Sequence, residues 1–174
     1  MAIQRPFNFQ KWIDEHRHLL KPPVGNKLVY EDAEFIVMVV GGPNARKDYH
    51  WEEGEEFFYQ LEGDVMVKIQ EDGKSVEVPI KEGEIFLLPP RVPHSPIRPE
   101  NTVGLVIERK RKLDEKDGLL WYCDNCNSKL YEEYFHLKSI ENDFQVVFKK
   151  FYASEELRTC KQCGTVMEVD SRFI

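Results

Sequence analysis

The stretch EEFFYQLEGDVMVKIQEDGKSVEVPIKEGEIFLLPP, residues 55–90, has the pattern of four short β-strands separated by turns. Its runs of branched and aromatic residues are typical of strands, and Asp72-Gly73 is a dipeptide typical of hairpin turns. Similar runs at 34–40 and 102–108 add two more strands. Short strands at this nearly regular spacing predict a mainly β fold, a closed or sandwiched antiparallel barrel.

Composition narrows the class of protein that these strands build. The 174 residues include 24 basic and 31 acidic side chains, for a net charge of −7. This balance argues against nucleic-acid binding, because a protein needs a basic face to displace phosphate counterions. No apolar run reaches the roughly 18 residues of a membrane span, and the first residues lack the apolar core of a secretory signal. We therefore expect a cytoplasmic globular protein with no membrane partner.

The chain divides into three parts by composition. Residues 1–110 hold the predicted strands, preceded by a helical pattern at 8–20. The charged stretch KRKLDEKDG, residues 110–118, is typical of a solvated connector, and we place the linker at 111–120. Residues 121–174 form a smaller C-terminal segment.

The C-terminal segment has its own pattern of secondary structure. Residues 130–137 favour a strand, and residues 139–157 carry the spacing of apolar side chains that is typical of a helix. We interpret the apolar face of this helix as core packing and not as a binding surface. That face consists of Phe144, Val147, Phe148 and Phe151.

Four cysteines stand in two widely separated CxxC pairs. Each pair puts two thiolates on one tight turn, and two such turns facing each other make a tetrahedral four-sulfur metal site. Asn127 and Gly164 follow the pairs and suit the positive φ of such turns. We favour a structural zinc or iron over a redox-active dithiol or unligated buried thiols. The predicted ligands are Cys123, Cys126, Cys160 and Cys163.

A second candidate metal site lies within the strand region. His50 and Glu56 flank a polar turn between two strands, and His94 follows a third strand in the Pro-rich turn at 88–96. A barrel can bring such strand ends to one mouth. Two imidazoles and one carboxylate on one face are the ligand set of non-haem Fe(II) oxygenases, which leave positions open for substrate. Taken singly, each residue favours an ordinary surface or core role, and only the joint spacing indicates a site.

That joint spacing resembles the two motifs of the cupin superfamily. The residues that match the motifs are Asp48, His50, Glu56 and Gly63 in the first and Gly83, Pro89, His94 and Arg98 in the second. Two positions depart from the usual pattern. Asp48 stands where a histidine is common, and Arg98 stands where an asparagine is common.

Both departures fit one cupin family. The strings HLLKPPVGN at 18–26, VVGGPN at 39–44, EEFFYQ at 55–60, FLLPP at 86–90 and VIE at 106–108 resemble the 3-hydroxyanthranilate 3,4-dioxygenase family. The resemblance runs over nearly the whole chain, and the CxxC pairs are similar to the rubredoxin-like site of its microbial members. It implies a mainly β cupin (jelly-roll) barrel with a small C-terminal metal-binding α+β extension, and a homodimer.

The resemblance also implies a role for each site residue. The residues that would hold catalytic Fe(II) are His50, Glu56 and His94. Glu56 would also face the substrate, Arg98 would bind the substrate carboxylate, and Glu108 would contact the substrate's polar groups and orient Arg98. Arg46 would lie near O2 or the phenolic oxygen. Residues expected to line the pocket are Val24, Asn26, Phe58 and Pro96.

Three functional hypotheses follow. The first is an Fe(II) dioxygenase that converts 3-hydroxyanthranilate and O2 to 2-amino-3-carboxymuconate semialdehyde, the precursor of quinolinate in the kynurenine pathway. The second is a non-catalytic cupin that binds a small aromatic acid and uses the cysteine segment as a protein-interaction module. The third keeps the enzyme class but takes a related aminophenol or catechol. Arg98 argues against the third, because a substrate without a carboxylate would leave a buried cation unpaired.

Overall fold

The computed structural model describes residues 3, 5–22, 25–138 and 140–173. Within these ranges one helix precedes a long β region, and two helices follow it. The helices are α1 Phe9–His16, α2 Ile140–Ala153 and α3 Glu155–Arg158. The strands are β1 Asn26–Leu28, β2 Phe35–Gly41, β3 Tyr49–Glu52, β4 Glu56–Glu62, β5 Val65–Glu71, β6 Lys74–Ile80, β7 Ile85–Leu88, β8 His94–Ile97, β9 Val103–Arg109, β10 Asp117–Tyr122 and β11 Lys129–Phe135.

The strands form two antiparallel sheets that pack face to face. Among the described residues, one sheet has the order β1-β2-β9-β4-β7 and the other the order β11-β10-β3-β8-β5-β6. Phe58 and Val106 from the first sheet meet Val67 and Ile69 from the second in a shared apolar core, because alternate residues of each strand point inward. The predicted mainly β fold is confirmed, and the six expected strands agree with the observed ones to within two residues at each end.

His94 begins a strand, which differs from the predicted turn. Strand β8 lies between β3 and β5 even though it contains Pro96, a residue that cannot donate to a ladder. In the described chain its pairing with β3 is the one residue pair His50 and His94, and Pro96 lies opposite Val67 in the ladder with β5. The pairing of β8 with β3 places two candidate metal ligands, His50 and His94, opposite each other.

The solvated connector expected at 110–118 is wrong at Arg111 and from Asp117 onward. Asp117 begins strand β10, which pairs with β3 on one side and β11 on the other, and its side chain is completely buried. The Arg111 side chain is 11% exposed and lies among acidic side chains. Only the middle behaves as predicted, with Leu113 fully exposed. A charge run is buried here because distant strands supply its counter-charges.

Helix α1 packs against the first sheet. Asn8 caps α1 by accepting a hydrogen bond from the backbone N–H of Lys11, and Ile13 of this helix packs against Val39 and Val103. No helix within the described ranges is both long enough and apolar enough to cross a membrane.

The predicted C-terminal helix is two helices. Ser154 interrupts the pattern, and its side chain accepts a hydrogen bond from the backbone N–H of Leu157 to cap α3. Residue 139, the predicted first residue, lies outside the described ranges. The expected core packing is confirmed: the apolar face of α2 is buried against Trp121 of β10 and consists of Phe144, Val147, Phe148 and Phe151.

Candidate active site

Three candidate metal ligands converge between the two sheets. His50 lies in β3, Glu56 opens β4 after a three-residue turn, and His94 opens β8. One ligand atom from each lies within 4.8 Å of the others, and the residues are buried or half-buried. Two imidazoles and a carboxylate this close together fit a divalent metal that keeps open positions. The structure does not bring Asp48, which occupies the first slot of the cupin motif, into this group.

The Glu56 and His94 side chains interact directly. Glu56 Oε2 lies 2.7 Å from His94 Nε2, and the other ring nitrogen of His94 lies 3.1 Å from the carbonyl oxygen of Val92. Burial opposes charge on the His94 imidazole, yet the adjacent carboxylate raises the pKa of His94 above its ordinary value. Burial likewise acts to raise the pKa of Glu56, but the neighbouring His94 outweighs it and lowers that pKa. A bound cation would take over the place of the His94 proton.

The second imidazole is held by an acid that the sequence did not indicate. His50 Nε2 lies 2.8 Å from Asp117 Oδ1. A carboxylate can only accept, so Nε2–H donates and the ring's lone pair is on Nδ1, where a metal can bind it. The His50 ring also lies 5.4 Å, centroid to centroid, from the Phe144 ring of α2. The C-terminal helix therefore forms part of the wall of the candidate metal site.

Arg98 lies just beyond β8, buried beside the metal ligands. Its backbone N–H and C=O both bond to Asn44 at 2.8 Å. Its guanidinium makes no ion pair with any described residue, and burial lowers the pKa of Arg98 to about 10 although the charge of Glu56 opposes that shift. Gly104 leaves it room, since a Cβ there would lie 2.9 Å from Arg98 Nη1. The predicted role of Arg98 in binding a substrate carboxylate stays a prediction.

Glu108 is buried, as a substrate-contacting acid should be, but its partner differs from the predicted one. Its Oε2 lies 2.7 Å from Arg111 Nη1, and no contact with Arg98 is found among the described residues. Glu52 lies next to Glu108, and burial together with the charge of Glu108 raises the pKa of Glu52 to about 10. In the described residues Glu108 pairs with Arg111, and its predicted roles toward Arg98 and the substrate stay predictions.

Arg46 lies between the barrel and the C-terminal helix. Its Nη2 lies 3.3 Å from Oδ2 of the buried Asp48. Its guanidinium carbon also lies 5.4 Å from the ring centre of Phe148 and 5.9 Å from that of Phe144. Cation–π contacts and an ion pair together fix its position. Its predicted role near O2 stays a prediction.

The predicted pocket lining is only partly near the ligands. The Phe58 ring lies 6.4 Å, centroid to centroid, from the His94 ring, and Pro96 lies in β8 two residues after that histidine. Asn26 is exposed on β1, and its predicted place in the pocket stays a prediction. Val24 lies outside the described residues.

The four cysteines come together as a second candidate metal centre. Their sulfur atoms all lie within 4.8 Å of one another, with Cys123 and Cys163 3.6 Å apart and Cys126 and Cys160 3.5 Å apart. A tetrahedron of zinc–sulfur bonds of about 2.3 Å has edges of about 3.8 Å, so this spacing fits a metal and is too long for disulfides.

Both cysteine turns have the same backbone design. The backbone N–H of Asn127 donates to the carbonyl oxygen of Cys123, and the backbone N–H of Gly164 donates to the carbonyl oxygen of Cys160. Both Asn127 and Gly164 have positive φ, as predicted. Hydrogen bonding at Thr165 lowers the pKa of Cys163 to about 5, which favours the thiolate that a metal binds.

Comparison with known proteins identifies the family. A sequence model described as 3-hydroxyanthranilic acid dioxygenase matches residues 1–152. The chain belongs to this family. Relatives of the 3-hydroxyanthranilic acid dioxygenase family include the 3-hydroxyanthranilate 3,4-dioxygenase of Xanthomonas euvesicatoria, 58% identical over 97% of this chain and 95% of the relative. The protein of the same name from Jannaschia sp. is 58% identical over 95% and 93%.

Solved structures give a more distant likeness. A cupin-2 domain protein from Shewanella frigidimarina has a TM-score of 0.46 and 16% identity, covering 60% of this chain and 94% of its own. Family membership confirms the resemblance seen in the sequence. The mainly β barrel with a C-terminal cysteine cluster is also confirmed.

Proposed function

We propose that this chain is an Fe(II)-dependent dioxygenase that opens the ring of 3-hydroxyanthranilate. The observation that carries the proposal is the buried Arg98 guanidinium beside the His50, Glu56 and His94 group, without an ion-pair partner in the described ranges. A buried cation is costly unless an anion pairs with it, and a substrate carboxylate supplies one. The names of the curated relatives support the choice of substrate.

The proposed reaction adds both atoms of O2 to the substrate. The ring bond between carbons 3 and 4 breaks, and the product is 2-amino-3-carboxymuconate semialdehyde, which closes to quinolinate without the enzyme. This would be a step of the kynurenine pathway toward pyridine nucleotides. Fe(II), when bound, supplies a Lewis acid for the phenolic oxygen and electron density for O2. The residues of the chain hold, orient and shield the reacting groups.

Arg98 orients the substrate in this proposal. Its planar guanidinium can bind a carboxylate through two parallel hydrogen bonds, which fixes the direction of the aromatic ring as well as its position. The contact is buried, so it is less screened by water than a surface ion pair. This function favours 3-hydroxyanthranilate over an aminophenol or catechol that lacks the carboxylate.

In this proposal Glu108 contacts the polar groups of the substrate, and Arg46 lies near O2 or the phenolic oxygen. The Glu108 carboxylate accepts hydrogen bonds from the amino or hydroxyl group of the substrate, while Arg111 keeps it in place at 2.7 Å. Arg46, held by Asp48 and two aromatic rings, contributes a fixed positive charge near O2 or the phenolic oxygen. A preorganised charge of this kind stabilises negative charge that develops on oxygen.

The second metal and the assembly belong to the same proposal. We assign zinc or iron to the four cysteines, because their spacing fits a closed tetrahedral site that holds structure and does no chemistry. We also propose a cytoplasmic homodimer formed by the outer face of the first sheet. Phe35, Ile85 and Leu87 are 54%, 66% and 53% exposed on that face, and Phe35 and Leu87 line a groove of about 330 Å³.

The test is oxygen uptake by the full chain loaded with Fe(II) under argon and then mixed with 3-hydroxyanthranilate and air. We expect one O2 consumed per product formed, followed by absorbance of the semialdehyde. Iron-loaded protein that binds the acid but takes up no oxygen would support the non-catalytic cupin instead. Uptake with 2-aminophenol or catechol at equal efficiency would redirect the substrate assignment.

A further inference from the structure

Asp117, in the charged stretch 110–118, contacts the candidate metal ligand His50. Its side chain is completely buried, and its Oδ1 accepts a hydrogen bond from His50 Nε2 at 2.8 Å. Backbone pairing brings the two residues together, because β10 runs antiparallel to β3 with Leu119 opposite His50. A carboxylate in this position fixes the tautomer and the ring orientation of a ligating histidine.

Arg111 holds Asp117 in turn. Its Nε lies 3.2 Å and 3.1 Å from the two carboxylate oxygens, and its Nη2 lies 2.8 Å from Oδ1. The Asp117 carboxylate therefore accepts hydrogen bonds from both the planar Arg111 guanidinium and the His50 ring. A lysine could supply the charge but not this geometry.

The same guanidinium holds the acid proposed to contact the substrate. Arg111 Nη1 lies 2.7 Å from Glu108 Oε2, and Nη2 lies 3.1 Å from Glu52 Oε2. All three acids have side chains at most 4% exposed. The buried Arg111 guanidinium therefore bonds both Asp117, which orients His50, and Glu108.

We propose that Arg111 and Asp117 are positioning residues that hold the metal-facing imidazole of His50 and the carboxylate of Glu108 in one fixed arrangement. The inference deepens the proposed function and rests on it. Neither residue contacts the reacting atoms. Their effect passes through His50 to the metal and through Glu108 to the substrate.

The effects through His50 and through Glu108 predict different consequences for the variants Asp117→Asn and Arg111→Lys. Asp117→Asn keeps the size of the side chain but weakens the bond to the His50 ring, so the affinity for Fe(II) should fall about 10- to 100-fold. Arg111→Lys keeps the charge but loses the fork, so it should weaken Fe(II) binding and also raise KM for 3-hydroxyanthranilate at saturating Fe(II). Asp117→Asn at saturating Fe(II) should leave that KM within about threefold of wild type, because Glu108 keeps its bond to Arg111.

The matched control is Lys110→Gln. Lys110 immediately precedes Arg111 but is exposed, and among the described residues the ion pairs of Glu52, Glu108 and Asp117 do not involve it. Loss of this charge should leave both the Fe(II) affinity and the KM unchanged. A control that loses as much Fe(II) affinity as Asp117→Asn would overturn the proposal, since general loss of charge would then explain the effect.

The experiment titrates Fe(II) under argon, against a competing ferrous chelator, into full chain whose cysteine site is filled with zinc. Circular dichroism and thermal melting check that each variant folds, and if one variant fails to fold, the other still provides the test. The double variant should lose less Fe(II) affinity than the product of the two single losses, because the residues act as a unit. Independent losses, or unchanged Fe(II) affinity and KM in folded variants, would overturn the inference.

Failure of the proposed function would give a different result. Wild-type chain that binds Fe(II) but shows no oxygen uptake with 3-hydroxyanthranilate refutes the reaction, while the Fe(II) affinities of the variants still decide whether Asp117 and Arg111 position His50.

Discussion

Glu56 and Glu108 lie directly opposite each other on β4 and β9, and both side chains are buried. Their side-chain partners differ: the His94 ring lies 2.7 Å from Glu56, and Arg111 lies 2.7 Å from Glu108. Two glutamates on neighbouring strands therefore have different bonding partners. This difference is the physical basis for assigning one carboxylate to the metal and the other to the substrate.

Replacing each of these acids should have a distinct effect. Glu56→Gln removes an anionic ligand, so we expect the Fe(II) bound per chain at the histidine site to fall below half under conditions that saturate wild type. Glu108→Gln should retain Fe(II) but raise KM for 3-hydroxyanthranilate roughly tenfold, about the effect of one weakened charged hydrogen bond. Metal analysis and steady-state oxygen uptake measure the two effects. The reverse pattern would exchange the two assignments.

Arg98 should matter for binding and not for stability. Arg98→Met removes the carboxylate partner, so KM for 3-hydroxyanthranilate should rise by about 10- to 100-fold while Fe(II) remains bound. The melting temperature should stay equal or increase, because the variant no longer buries a cation without a described ion-pair partner.

Arg91→Met is the control for that variant, since this arginine is exposed and pairs only with Glu53 among the described residues. It should leave KM unchanged. Loss of Fe(II) from Arg98→Met would show that Arg98 supports the metal ligands and not the substrate.

The sequence predicts the candidate metal ligands but not the residues that support them. His50, Glu56 and His94 are predictable because a metal demands particular side chains, and their spacing reflects strand ends that meet at one mouth. Arg111 and Asp117 belong to a run of charges that is typical of solvent-exposed segments. Whether such residues are buried depends on acids carried by distant strands, and no local pattern contains that information.

The same reasoning explains the mixed outcome for the fold. Strands β4 to β7 have alternating apolar residues and turn glycines, so local rules are enough to predict them. Strand β8 contains a proline and β10 starts in a charged run, so local rules assign both to loops. Tertiary pairing decides these two strands.

The cysteine site should support stability and not catalysis. Cys160→Ser removes a buried ligand, so we expect loss of the second metal and a lower melting temperature. The kcat per Fe(II) at the histidine site should stay within about twofold in the fraction that folds, since a closed site offers no open position. Lys161→Ala, an exposed position in the same turn, is the control and should change neither quantity. A metal-free Cys160→Ser chain as stable as wild type would contradict a structural role.

The outer face of the first sheet should be the dimer interface. Leu87→Glu puts a charge on an exposed apolar position of the edge strand β7, so it should shift the chain toward monomer in light scattering after size exclusion. Val146→Glu changes a residue on helix α2 that is 67% exposed and should leave the assembly unchanged. A Leu87→Glu dimer with wild-type affinity would place the interface elsewhere.

The loop that carries Arg111 should be sensitive to acid through Glu115. Hydrogen bonds from Arg109 lower the pKa of Glu115 from its ordinary value of 4.5 to about 2. A carboxyl group with a depressed folded-state pKa contributes stability above its unfolded pKa, and that contribution is lost as pH falls from about 4.5 toward 2. Glu115→Gln should therefore melt below wild type at pH 7, and the difference should shrink below pH 4.5. A Glu115→Gln difference that stays constant from pH 7 to pH 3 would mean that side-chain packing, and not charge, gives Glu115 its effect.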